Sequence, residues 1–167
     1  MTTAIHVGPL PSGIILQSIA ACPPKDRESL AAKLAKLEKK IFPSSEAFDY
    51  GSELKKKNVG IILAVKEGTQ ELVGYLVYQR QKSLAWLHKL ATIEQERRKG
   101  IAKCLVDFLC QQMKKGGCRT ISLWVDEVRN PARALYASCA FQQIERLPEY
   151  YGPGRTALKL ELNIAEH

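Results

Sequence analysis

The sequence predicts an α/β domain: a mixed, twisted sheet flanked by helices, in which an antiparallel meander leads into a parallel strand–helix–strand unit. Three observations carry that expectation. The apolar runs VGIILAV (59–65) and LVGYLVYQ (72–79) are of strand length and flank the turn KEGTQE, the pattern of an antiparallel hairpin. A third run, SLAWLHKLATI (83–93), precedes a helical segment that starts after Gly100, and the strand RTISLWV (119–125) follows it. That order implies a parallel pair joined by a crossover helix. Strands, helix, strand, helix and strands then succeed one another without an internal repeat, which suits helices packed on a sheet. One domain over residues 1–167 is expected, with its motif-bearing core at about 27–162.

Residues 1–25 read as an extended lead centred on Ile14, Ile15 and Leu16 and stopped by Pro23 and Pro24. Asp26 is placed to cap the next helix, where Leu30, Leu34, Leu37 and Ile41 repeat at helical spacing. Pro43, Ser44 and Ser45 end that helix, and SEAFDYGSEL (45–54) can open a second, shorter one. After Gly100, the side chains Ile101, Leu105, Phe108, Leu109 and Met113 share a face that Gly116 and Gly117 close. NPARALYASCA (130–140) is a short helix with Pro131 near its first turn. FQQIERL (141–147) and TALKLEL (156–162) are two closing strands around the loop PEYYGPGR (148–155).

Composition excludes several classes. The net charge of +8 suits nucleic acid, an acidic surface or a polyanionic small molecule. Part of the excess lies in KLAKLEKK (33–40) and ELKKKN (53–58), with no stacking aromatics interleaved, so direct nucleic-acid binding is not expected. No apolar run reaches the length of a membrane span. The N-terminus lacks both the basic start of a secretory signal and the arginines of a transit peptide. Cys22, Cys104, Cys110, Cys118 and Cys139 are odd in number and lack C-x-x-C spacing, which argues against a disulfide framework or a metal site. A reducing compartment is the default, cytoplasmic, with a nuclear one compatible. Cys104 and Cys110 read as small buried hydrophobes rather than nucleophiles.

The chemistry begins at IEQERRKGIAKCLV (93–106). Arg97, Arg98 and Lys99 stand directly before Gly100 and a helix. A helix N-terminus already carries partial positive charge and favours anions, so cations there cost stability unless an external anion sits on the turn. Small side chains at Gly100 and Ala102 let backbone N–H groups approach a phosphate. The pattern is neither a Walker loop nor a dinucleotide fingerprint.

LATIEQERRKGIA (90–102) resembles the acetyl-CoA signature of the GNAT superfamily of acyl-CoA N-acyltransferases. Leu90, Ala91, Arg97, Gly100 and Ala102 match, and Thr92 and Glu94 stand where Val and Pro are common. NPARALYASCAF (130–141) is similar to a second motif of that family through Ala132, Leu135, Tyr136 and Phe141, with Ala140 in place of a glycine. The resemblance implies the GNAT fold, acetyl-CoA as co-substrate and no metal. It places the pantetheine and acetyl group beside the backbone of Leu90, Ala91 and Thr92, where a freed N–H polarises the thioester carbonyl. It places the pyrophosphate on the turn formed by Arg98, Lys99, Gly100, Ile101, Ala102 and Lys103. The Arg97 side chain has two readings, a phosphate contact or a surface ion pair with Glu94 or Glu96. Where the family often has Asn, seven residues before the motif Tyr, this chain has Arg129, and Asn130 follows; either is a candidate contact for the CoA arm.

The resemblance also assigns roles at the reacting centre. Tyr136 matches the tyrosine beside the CoA sulfur and is the candidate general acid. The usual base position, a Glu or His on the fifth strand, is occupied by Trp124, with Asp126 and Glu127 just beyond. His88 is the other candidate base: it lies two residues before Leu90, which puts both on one face of a regular strand. PEYYGPGRTALKLEL (148–162) and LEKKIFP (37–43) are similar to the RimI-type and N-terminal protein acetyltransferases, where a Tyr-Tyr pair holds the acceptor peptide. Tyr150 and Tyr151 are therefore the candidate acceptor contacts. The expected activity is acetyl transfer from acetyl-CoA to a peptide or protein amine, an N-terminal α-amine first, by direct attack in a ternary complex. A small-amine, polyamine or lysine acetyltransferase and a non-catalytic CoA-binding module are the alternatives. An auxiliary subunit is compatible with the resemblance.

Overall fold

A computed structural model of the chain describes residues 10–42 and 48–165. Seven strands form one sheet in the order β1-β2-β3-β4-β5-β7-β6: β1 (Ile14–Ser18), β2 (Val59–Lys66), β3 (Leu72–Gln81), β4 (Leu84–Thr92), β5 (Thr120–Asp126), β6 (Gln142–Gly152) and β7 (Arg155–Asn163). β1 to β4 are an antiparallel meander, β4 and β5 are parallel, and β5, β7 and β6 are antiparallel neighbours. The helices are α1 (Pro24–Ile41), α2 (Tyr50–Glu53), α3 (Ile101–Lys115) and α4 (Asn130–Ser138). The mixed sheet and the crossover helix expected from the sequence are both present.

Each sheet face has its own core, because strand side chains alternate and each face must be covered. Leu76, Leu105, Leu109, Ile121, Leu123 and Leu158 belong to the cluster under α3 and α4. Leu34, Ile61, Leu63, Tyr75 and Val77 belong to the cluster under α1 and α2. Fully burying one such side chain contributes about 1.5–3 kcal/mol. Gly74 lets β3 approach closely, since a Cβ there would lie 2.9 Å from the Ala91 carbonyl oxygen.

Several boundaries differ from expectation. Of the extended lead, residues 10–25 are described; β1 ends at Ser18 and a short 3-10 turn, Ile19–Ala21, follows. Pro23 and Pro24 not only stop the lead but start α1, where a missing N–H costs nothing. Asp26 sits inside the first turn and makes no capping bond; its favourable contribution is to the helix dipole. α1 ends at Ile41 with Phe42 as its C-cap, and Pro43, Ser44 and Ser45 lie outside the described residues. The short helix α2 is capped by Asp49, which accepts from the Ser52 N–H at 3.2 Å. Tyr150 and Tyr151 lie in the end of β6 rather than in a loop, where the register with β7 breaks between Leu147 and Gly152.

Candidate active site

Two irregularities of β4 create the site. The first is a splay. β4 and β5 pair only over Leu84–Trp86 with Thr120–Ser122, yet β4 runs on to Thr92 and β5 to Asp126. β5 stays with β7 past that point, so the edge of β4 beyond Trp86 faces an opening. The second is a bulge. Val77 pairs with Lys89 and Tyr78 with Leu87, which leaves His88 without a partner residue on β3.

The bulge corrects the expected facing of His88. Leu87 and Leu90 pack in the cluster under α3 and α4. His88 lies against Phe48, with ring centroids 6.4 Å apart, and Lys89 reaches Glu38 on α1, both on the opposite face. His88 and Leu90 therefore do not share a face; the extra residue breaks the alternation. His88 Nε2 is 3.0 Å from Gln79 Oε1, so it donates there and Nδ1 carries the lone pair. Desolvation holds its imidazole below the usual pKa, Lys56 and Lys89 lower it further, and Glu53 opposes them.

The turn before α3 is built to receive an anion. Gly100 adopts φ 84°, and Arg98 is left-handed too, at φ 64°. The first turn of α3 has no acidic residue and no side-chain cap. Among the described residues, no backbone carbonyl accepts the amides of Ile101, Ala102 and Lys103, whereas the Cys104 amide donates to Gly100 at 3.0 Å. Three aligned amides at a helix N-terminus suit a phosphate. The ion-pair reading of the Arg97 side chain does not hold among the described residues: its Nε donates to the Thr92 carbonyl at 3.1 Å, tying the turn to the end of β4. Glu96 pairs with Lys99 at 2.8 Å instead. Thr92 Oγ1 is buried and has no hydrogen-bond partner, a polar orphan beside the same turn.

A narrow passage of about 70 Å³ crosses the sheet where β4 and β5 diverge. Ala132 and Tyr136 of α4 line one end of it, and Phe42 of α1 and Tyr151 of β6 line the other. Arg129 also lines it, with Cζ 5.2 Å over the Phe42 ring, whereas Asn130 is exposed at the start of α4 and is not part of the lining. Tyr136 is buried; burial pushes its hydroxyl above the usual tyrosine pKa although Arg129 opposes the shift, so it is protonated at neutral pH. On the face of α1 and α2 the passage meets a cleft of about 380 Å³, lined by Gln79, Trp86, His88, Trp124, Tyr150 and Tyr151 among others. Trp124 stacks on Tyr150 at 5.0 Å and 14°, and Tyr151 meets Tyr150 edge-on at 5.0 Å.

The acids near Trp124 are committed elsewhere. Asp126 Oδ2 accepts from Arg155 Nε at 3.1 Å and Nη2 at 2.9 Å, and its Oδ1 accepts from the Val128 N–H. Burial alone would raise the Asp126 pKa; those partners outweigh it and hold the carboxyl below its usual range. Glu127 pairs with Arg146 at 2.7 Å. The Cys104, Cys110 and Cys139 thiols are all pushed up by burial, Cys110 to about 12, so they are not thiolates at neutral pH.

Sequence reasoning missed a nearly buried network on the side of β4 that α1 and α2 cover. Glu38 Oε1 accepts from Lys89 Nζ and from Tyr50 Oη, both at 2.9 Å, and its Oε2 accepts from the Phe48 N–H at 2.9 Å. Lys89 Nζ also lies 4.6 Å over the Phe42 ring. Glu38 stands among lysines in KLEKK and reads as one more solvated charge; the signal that could have found it is its place four residues after Leu34, on the buried stripe.

The comparisons agree with this geometry. The acetyltransferase (GNAT) family profile matches residues 28–141. The chain is similar to the N-alpha-acetyltransferase MAK3 of Arabidopsis thaliana, 32% identical over 83 residues, which is 50% of this chain and 44% of that protein. It thus matches less than half the length of that relative. Arabidopsis thaliana NAA60 in complex with acetyl-CoA shares the fold, with a TM-score of 0.72 and 24% identity over 90% of this chain and 98% of that one. So does the aminoglycoside 6'-N-acetyltransferase of Enterococcus faecium, with a TM-score of 0.70 and 20% identity over 90% and 97%. With the profile match covering most of the sequence, and with the anion turn, the splay and the buried tyrosine in place, the chain belongs to the GNAT acetyltransferase family and is an acyltransferase.

Proposed function

We propose that this acyltransferase moves the acetyl group of acetyl-CoA to a free N-terminal α-amine of a peptide or protein, by direct attack in a ternary complex. The observation that carries the proposal is the passage through the sheet. It joins the Tyr136 side, reached from the anion turn, to an aromatic cleft holding His88, Tyr150 and Tyr151 on the other face. CoA phosphates rest on the amides of Ile101, Ala102 and Lys103, the thioester enters the passage beside Tyr136, and the acceptor amine arrives from the cleft. The amine lone pair attacks the carbonyl carbon, forming a C–N bond and an oxyanion. His88 Nδ1 takes the amine proton, directly or through one water. Collapse breaks the C–S bond, and Tyr136 Oη protonates the departing thiolate. The buried thiols give no nucleophile for a covalent enzyme intermediate.

Two observations support an α-amine over a polyamine. The similarity to an N-alpha-acetyltransferase is the stronger. The net charge of +8 disfavours a polycation. The aminoglycoside enzyme shows that the fold does not choose the acceptor, so the test must. Thiol release is to be measured with matched peptides, one with a free N-terminus and one blocked there with only lysine free, and with polyamines. A clear preference for the free N-terminus supports the proposal. Equal rates on blocked lysine peptides, faster polyamine turnover, or acetyl-CoA binding with no turnover on any acceptor each overturn it.

A further inference from the structure

We infer that Phe42 is the stop that limits the transferred acyl group to two carbons. The inference rests on the reading of the passage as the place of the thioester. That passage holds about 70 Å³. It is far smaller than the cleft of about 380 Å³ that it meets, so the narrow space suits a short acyl group. Beyond it on the acceptor face stands the Phe42 ring.

Phe42 is held in several ways at once. Its amide donates to the Glu38 carbonyl at 2.8 Å. Lys89 Nζ at 4.6 Å and Arg129 Cζ at 5.2 Å both lie over its ring. Lys89 is itself fixed by the Glu38 carboxylate at 2.9 Å, with only 10% of its side chain exposed. One buried carboxylate on α1 thereby fixes a cation of β4 that in turn holds the Phe42 ring in place. A longer acyl chain has two ways out. It can push Phe42 off its cations, or it can extend into the cleft beside His88 and Tyr151, which the acceptor amine must occupy. Both oppose transfer of the longer group.

The test compares acetyl-CoA with butyryl-CoA. Wild type should favour acetyl by about ten-fold or more in kcat/KM. Phe42→Ala should shift that ratio toward butyryl by about ten-fold or more, mainly through a gain with butyryl-CoA. Phe42→Leu keeps an apolar cover over the half-buried position, so it serves if the alanine variant fails to fold; a smaller shift in the same direction is expected. A role in stability alone would lower both donors equally. Wild type using both donors alike, or variants that slow both by the same factor, overturns the inference. Should no amine be acetylated, the function proposed above fails by itself, and calorimetric affinities for the two donors still read the passage: only removal of the ring should let butyryl-CoA bind as well as acetyl-CoA.

Discussion

Lys89→Met is the perturbation whose cost the structure states most directly. The Lys89–Glu38 contact is 2.9 Å long, and the two side chains are only 10% and 5% exposed. Removing the ammonium leaves a buried carboxylate held by the Tyr50 hydroxyl and the Phe48 amide, both neutral donors. Breaking a buried pair on one side costs about 3–5 kcal/mol, because the remaining charge has left water without compensation. In a domain of this size each kcal/mol moves Tm by about 2–4 °C, so a drop of roughly 10 °C is expected. Adding Glu38→Gln removes the second charge and keeps an oxygen to accept from Tyr50 or Phe48. The double variant should therefore melt above the single one, recovering about 2 kcal/mol, since a neutral amide left with one lost bond costs less than an orphaned carboxylate. Thermal melts of the wild type, Lys89→Met, Glu38→Gln and the double variant form the cycle. A single variant within about 1 kcal/mol of wild type, or a double variant no more stable than Lys89→Met, refutes the claim that desolvation of Glu38 sets the cost.

Three further predictions address the donor side, the pH dependence and the candidate acid. Ala102→Glu puts bulk and a negative charge on the anion turn; calorimetry should show acetyl-CoA binding abolished in a protein that still melts cooperatively, and unchanged affinity would remove the turn from the site. The pH profile of kcat should have its acidic limb below the usual histidine pKa of about 6.5, because His88 is lowered, and should hold its alkaline limb past a usual tyrosine, because Tyr136 is raised. Tyr136→Phe should cut turnover by about 10²-fold or more at nearly constant acetyl-CoA affinity; turnover near wild type, with chemistry rate-limiting, rules out the acid.

The donor half of the site was legible in the sequence because it is local. Arg98 to Lys103 is one turn, the features that suit it to an anion are main-chain amides, and Gly100 marks the left-handed φ there. The parallel β4–β5 pair followed from strand–helix–strand order alone. The acceptor half was not legible, because non-local pairing builds it. Nothing in LHKLAT marks the bulge, which is a mismatch between β4 and β3 and turns His88 to the other face. Arg97 pairs with neither Glu94 nor Glu96 among the described residues; its Nε partner is a main-chain carbonyl, which sequence does not distinguish. Asp126 and Glu127 looked available until Arg155 and Arg146, each from a different strand, were found on them. Tyr150 and Tyr151 were seen, but their partner Trp124 was noticed only as the residue displacing a base, not as the platform on which Tyr150 stacks.

The weakness of the base bears on the acceptor. On the proposed reading only the neutral amine attacks, so an ammonium must lose a proton beforehand, and His88, the base in the cleft, is held below its usual pKa of about 6.5. A lysine ammonium has a pKa near 10.4, so that transfer runs uphill by more than about 4 units, roughly 5 kcal/mol. An α-ammonium near 8 faces a gap of more than about 1.5 units, at least roughly 2 kcal/mol. The local charges narrow both gaps by a similar amount. The cations lining the passage are Lys89, paired with Glu38, and Arg129, whose charge acts on Asp126 together with that of Arg155. One positive charge at close range lowers the pKa of an amine beside it, whichever amine it is. A shift common to both amines leaves the lysine above the α-amine by the same margin, about 2.4 units. A stronger base, a carboxylate of raised pKa on β5, would erase the distinction, and this chain has Trp124 at that place. On the proposed reading, Trp124 in the place of that base therefore favours an α-amine over a lysine as acceptor.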